Sequence, residues 1–192
     1  ENGNQHGHAV ETISSALANT LTALSPFHHY DAVVTRHGDG SKSYAELKKG
    51  TAYYAWGLTQ ISNALAATPA LGRDYRVAAV TVVHGESDHL ANNGALYEGF
   101  LRDWQADYET DARAITGQSE PVPFFLCQMS SHTGYGQSTP RIAGAQLSAC
   151  ASSTTHFLVG PKYFLTYVDA AHLTAASYRH LGEYYGKALH RV

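Results

Sequence analysis

The feature that most constrains this chain is an apolar run, Val77-Ala78-Ala79-Val80-Thr81-Val82-Val83, that passes directly into a turn crowded with reactive groups, His84-Gly85-Glu86-Ser87-Asp88-His89. A short, continuous, β-branched run of this kind suits a strand buried on both faces, as in a parallel sheet covered by helices. The reactive groups then sit at the carboxyl end of a strand, where open α/β sheets place their ligands. A second apolar run, Tyr163-Phe164-Leu165-Thr166-Tyr167-Val168, ends in Asp169, and His172 follows three residues later, before an evident helix. Two strand ends carrying acid, base and hydrogen-bonding groups imply one shared site.

The rest of the chain alternates in the same way. Val10, Ile13, Leu17 and Leu21 recur at helical spacing, which predicts a helix over 9–24 that ends at Ser25-Pro26. Residues 31–35 read as a short buried strand and 36–41 as the loop leaving it. A helix over 51–67 precedes the strand 76–83, and a long helix over 91–115 carries Leu96, Phe100, Trp104 and Tyr108 on one stripe. Pro121 and Pro123 open the strand 124–128. The Gly/Ser-rich stretch 129–138 forms a rim loop, and a helix over 140–151, a strand over 156–159 and a helix over 174–190 complete the order. Strands alternating with helices predict an α/β fold: one parallel sheet with helices on both faces, in a single domain over 1–192.

Composition narrows the function. A net charge of -3, a pI near 6.5 and no basic cluster beyond Lys48-Lys49 argue against a nucleic-acid partner. No apolar run approaches a membrane span. The 13 Tyr and 12 His suit the binding of sugars or other polar organic ligands, or equally the margin of a core. Cys127 and Cys150 are compatible with two reduced thiols or one disulfide.

Asp169-Ala170-Ala171-His172 is a compact way to hold a base. The carboxylate can accept a hydrogen bond from one imidazole nitrogen, fixing the tautomer so that the other nitrogen can take a nucleophile's proton. The helix that follows, with Tyr178 and Leu181 turned inward, sets the histidine on a rigid element.

These residues carry a resemblance. Val83-His84-Gly85-Glu86-Ser87-Asp88 resembles the Gln-Gly-Glu-Ser-Asp block of the sialate O-acetylesterase-like branch of the SGNH hydrolases, and Asp169-Ala170-Ala171-His172-Leu173 resembles that superfamily's Asp-x-x-His-Leu block. Arg36-His37-Gly38-Asp39-Gly40-Ser41 is similar to the Gly-Gly-Ser loop; Ala114 to Gln118 and Gly160-Pro161-Lys162-Tyr163 are further pieces in the same order. The resemblance implies a three-layer α/β/α flavodoxin-like fold. It also implies hydrolysis of O-acetyl esters on carbohydrates through an acyl-serine, with no cofactor and no metal, and deacetylation of a polysaccharide would place the protein outside the cell. Carried over by position, His172 is the general base, Asp169 its orienter, Gly40 an oxyanion donor through its N–H, and His84 and Glu86 oxyanion or substrate-binding residues. His84 stands where the family has Gln, and Ser87 is a second candidate for the superfamily's oxyanion asparagine. Glu86 and Asp88 are expected chiefly to organise the loop by accepting backbone or Arg hydrogen bonds.

One block is absent. The family's nucleophile lies in a Gly-Gln-Ser or Gly-Asp-Ser block after the first strand, and residues 1–8 contain neither strand nor serine. In the strand order 2-1-3-4-5 the missing strand would separate 31–35 from 76–83. The expectation is that it comes from outside this chain, on a preceding segment or a companion chain that also brings the serine. A rival places the nucleophile at Ser41, which follows a strand and precedes a helix. Two other readings stand outside serine chemistry. One is a metal-dependent hydrolase using His84, Glu86, Asp88 and His89 with His6, His8, His28, His29 or His37. The other is a carbohydrate-binding relative without activity. The rim loop, with Tyr135, and residues 1–8 are the expected places for sugar contacts.

Overall fold

A computed structural model describes residues 11–25 and 31–192. The elements run α1 (Ser14–Leu24), α2 (Tyr44–Leu47), α3 (Ala52–Ala67), β1 (Val80–Val82), α4 (Glu86–Leu90), α5 (Tyr97–Thr116), β2 (Phe124–Gln128), α6 (Arg141–Ala151), β3 (His156–Pro161) and α7 (Ala175–His190). The three strands form one parallel sheet in the order β1-β2-β3, with Val82 beside Leu126 and Leu126 beside Leu158. The mixed α/β class and the parallel sheet are as the alternation predicts.

β2 shows why the sheet needs helices on both sides. Phe124 and Leu126 enter one core with Tyr44, Tyr54, Leu101, Trp104, Tyr108 and Ile142, built on α2, α3, α5 and α6. The intervening Phe125 and Cys127 enter a second core with Leu17, Leu173, Leu181 and Tyr185, built on α1 and α7. The period of two along a strand thus divides one apolar run between two helical layers. Cys127 and Cys150 are both free thiols. Among the described residues no helix is long and apolar enough to cross a membrane.

Four expectations need correction. Residues 31–35 form no strand: among the described residues they make no backbone–backbone hydrogen bond, and Val33 is 66% exposed. A β-branched run becomes a strand only where a neighbour completes its ladder. The strand 76–83 shrinks to 80–82 because the Gln118 side chain replaces a strand partner at Val77, accepting from its N–H (2.8 Å) and donating to its carbonyl (3.0 Å). The long helix starts at Tyr97 rather than 91, since Asn92 is left-handed and a 3-10 turn spans Asn93–Ala95. Residues 163–168 are not a strand either: Leu165 N–H turns back to the Lys162 carbonyl, and Tyr167 forms only an isolated antiparallel bridge with Leu173.

The α1–α7 layer depends on two glycines of α7. A Cβ on Gly182 would lie 2.4 Å from the Ile13 carbonyl oxygen, and one on Gly186 would lie 2.7 Å from Thr20 Cβ. The obstacle at Gly182 is backbone, so it cannot swing aside. Gly182→Ala should therefore destabilise the protein by about 1–3 kcal/mol despite alanine's better helix propensity. At about 2–4 °C per kcal/mol for a domain of this size, thermal denaturation should register the loss.

Candidate active site

The turn after β1 is fixed by Gly85, whose φ of +133° favours glycine and whose missing Cβ leaves room for Ile142 Cγ2. His84, just before it, is buried. Its Nε2 lies 3.0 Å from the Lys42 carbonyl oxygen and its Nδ1 lies 2.6 Å from Tyr97 Oη. A carbonyl only accepts, so Nε2 carries the hydrogen and Nδ1 accepts from the phenol. Burial keeps this imidazole below its ordinary pKa against the pull of Asp88 and Glu86. With its single N–H given to Lys42, His84 in this arrangement is a strut between the turn and the 38–43 loop.

The fully buried Asp88 supplies a second strut, accepting from Tyr44 N–H (2.8 Å) and from Asn93 Nδ2 (2.7 Å). Gln146 is a third: it donates to the His84 carbonyl and accepts from Met129 N–H, joining the ends of β1 and β2. In the 38–43 loop the Gly40 N–H points at Asp39 Oδ1 (3.0 Å), while Asp39 Oδ2 accepts from Tyr53 Oη. The expected oxyanion donor is thus engaged within its own loop. Ser41 is exposed, with a left-handed φ of 60°.

Glu86 meets a partner that was quoted in sequence but given no role. Lys162 Nζ lies 2.8 Å from Glu86 Oε1, and Ser131 Oγ donates to the same oxygen at 3.2 Å. Burial pushes the Glu86 carboxyl up, yet the charge and hydrogen bond of Lys162 outweigh it and hold the group below the usual carboxylate value. Lys162, itself buried, is raised above the ordinary lysine value by Glu86 in spite of its desolvation. Its backbone N–H reaches Gln128 O and Ser130 Oγ, so the ends of all three strands meet at this pair. The loop-organising role expected of Glu86 and Asp88 matches this geometry, with a lysine where an arginine was foreseen.

Asp169 and His172 form the candidate acid–base pair. Asp169 Oδ2 is 2.7 Å from His172 Nδ1, and Oδ1 accepts from the N–H groups of Ala171 (2.8 Å) and His172 (2.7 Å). Those three hydrogen bonds, the two backbone ones first, hold the carboxyl at about 2. The tip is closed by Val168 N–H to His172 O and Thr174 N–H to Thr166 O, and Thr174 caps α7 through Ser177 N–H. His172 is about half exposed, and among the described residues nothing hydrogen-bonds its Nε2. The rim loop packs on this tip, with Gly134 against Ala170. Tyr135 in that loop feels both sides of the site: burial, then Glu86 and Asp169, push its phenol up.

Among the described residues no hydrogen bond or ion pair joins His172 to Gly40, His84, Glu86 or any serine. A cleft of about 610 Å³ lies between residues 34–39 and α3, lined in part by Val34, His37, Asp39, Tyr53 and Trp56, but not by His172. Of the residues of the metal alternative, His84 Nε2 lies 3.6 Å from Asp88 Oδ2 while Glu86 faces Lys162, and among the described residues no three His, Cys, Asp or Glu side chains converge on a metal position. His6, His8, His28 and His29, and the sugar contacts expected at 1–8, lie outside the described residues. No protein-family model and no curated protein matches the chain.

Replacing Lys162 by Met should cost about 3 kcal/mol, because it strands a largely buried carboxylate. In the native protein Glu86 has a depressed pKa, so its contribution is present above the ordinary carboxylate pKa and lost as pH falls through the folded value. In Lys162→Met burial, the largest influence on Glu86, is opposed by hydrogen bonds from Ser131 and the backbone but no longer by a cation, so the folded pKa should rise above the unfolded one and stability should instead fall as pH rises. Urea denaturation of both proteins between about pH 4 and 8 gives the two slopes, and Glu86→Gln added to Lys162→Met should flatten the second.

Proposed function

We propose that this chain is a domain of a serine esterase of SGNH type, removing O-acetyl groups from carbohydrates. The observation that carries the reading is the Asp169–His172 pair: Nδ1 is held at 2.7 Å by a carboxylate, and among the described residues nothing hydrogen-bonds Nε2 of this half-exposed ring. A carboxylate on Nδ1 requires the hydrogen there, leaving the Nε2 lone pair as proton acceptor and favouring the imidazolium that forms. In the proposed reaction a serine oxygen bonds to the ester carbonyl carbon while its proton passes to Nε2. The tetrahedral intermediate breaks its bond to the sugar oxygen, which takes the proton back from His172. Water then adds to the acyl-serine carbonyl, giving a proton to Nε2; the intermediate breaks its bond to the serine oxygen, which takes that proton back, and acetic acid leaves. The Gly40 N–H can serve the oxyanion only after leaving Asp39.

The serine would arrive on a strand outside the described residues, against β1. Val80 N–H donates to Pro123 O, so Val80 and Val82 turn their backbone groups to β2. Alternation in a parallel ladder leaves those of Ala79, Thr81 and Val83 facing the other edge, where no described strand pairs with them. An open edge of this kind is a template for strand addition. The flavodoxin-like order 2-1-3-4-5 would put the nucleophile strand there, with β1, β2 and β3 as the third to fifth strands. The absence of a hydroxyl on His172 among the described residues also favours the second reading, a carbohydrate-binding relative without activity.

Turnover of p-nitrophenyl acetate separates the two. The esterase should lose essentially all activity in His172→Ala, and Asp169→Asn should lower kcat by about 10²–10⁴ because the amide disturbs the tautomer. A serine-directed phosphonate should label a residue outside 31–192, and labelling of Ser41 would move the nucleophile into this loop. No turnover and no labelling would leave the binding module.

A further inference from the structure

The helix face opposite α1 is unaccounted for by the site. Gly182 and Gly186 turn α7 toward α1, whereas His180, Tyr184, Lys187 and Arg191, spaced by four, three and four residues, run along the far side and are exposed. Phe164 packs on this stripe, its ring 5.7 Å from Tyr184 at 87°, and Tyr163 stands against Phe164 at 5.7 Å and 89°. Tyr163 is 75% exposed, Phe164 51% and Tyr184 41%, with Val168 at 66% beside Asp169. Lys187 Nζ lies 5.6 Å from the centre of the Tyr184 ring. A contiguous aromatic surface left in water signals an interaction site.

Charge selects the occupant. Residues 174–192 carry Arg179, Lys187 and Arg191 against the single acid Glu183, in a chain whose net charge is -3. Among the described residues none of these three cations forms an ion pair. A second copy of the chain on a two-fold axis would set like charge against like charge, and a neutral polymer would leave the cations unused. A polysaccharide bearing carboxylates uses both features: the C–H faces of its sugars lie on the rings, and its carboxylates meet the cations.

We propose that Tyr163, Phe164 and Tyr184, with Lys187 and Arg191, form a docking strip for an acidic, uronate-type polysaccharide that leads to the Asp169–His172 tip. This names the substrate class of the esterase proposed above and rests on that reading. The test is affinity electrophoresis in gels containing polygalacturonate, neutral xylan or neutral glucan, with melting curves confirming that each variant is folded. The native protein should be retarded by polygalacturonate alone. Retardation should weaken about tenfold in Lys187→Glu/Arg191→Glu and in Tyr163→Ala/Tyr184→Ala, and also on raising salt from about 50 to about 300 mM, while p-nitrophenyl acetate turnover is unchanged. No retardation by polygalacturonate, equal retention by xylan, or sedimentation showing dimers that Tyr184→Ala disperses would each overturn the strip. Binding without ester turnover sinks the esterase reading and leaves the strip; turnover without binding does the reverse.

Discussion

The ion pair between Lys162 and Glu86 is the interaction that ties together the carboxyl ends of the three strands. Both groups are largely withdrawn from water, and desolvation works against each charge. The contact of 2.8 Å and the added Ser131 hydrogen bond reverse that penalty, so both stay ionised. The pair spans the turn after β1, the loop after β2 and the residue after β3. Losing either charge would leave the other buried and unpaired where these three segments meet, while the Asp169–His172 tip keeps its own hydrogen bonds.

Around this clamp the sheet is asymmetric. β2 is in the centre, paired on both sides and covered by helices above and below. Among the described residues β1 is paired on one side only, and the segment 31–35, which resembles a strand in sequence, lies unladdered near a cleft of about 610 Å³. The Asp169–His172 tip is built differently: it is exposed, and its order comes from backbone N–H groups that point at one carboxylate. Such a tip holds its imidazole in place without burying it.

Much of this was legible in the residues. The helices over 52–67, 141–151 and 175–190 begin and end within two residues of their expected limits, because their apolar stripes, their Pro and Thr starts and their packing agree. The strand at Phe124–Gln128 was equally plain, being apolar on both faces and opened by prolines. Asp169 and His172 were found because three residues on a tight turn bring a carboxylate to an imidazole by local geometry alone. Lys162 was harder, since its partner is 76 residues away in sequence. The available signal was a lysine after a Gly-Pro strand end in a chain with an acidic turn at another strand end.

The sequence by itself determined the α/β alternation, the middle strand and the local Asp169–His172 pair, because apolar periodicity marks the elements and a tight turn brings the pair together. Only the tertiary structure decided that residues 31–35 and 163–168 are not strands, that His84 spends its N–H on Lys42, and that Glu86 answers to Lys162. Those outcomes turn on which distant backbone edge or buried charge lies opposite, and the free energy of a ladder or an ion pair belongs to both partners rather than to either stretch alone.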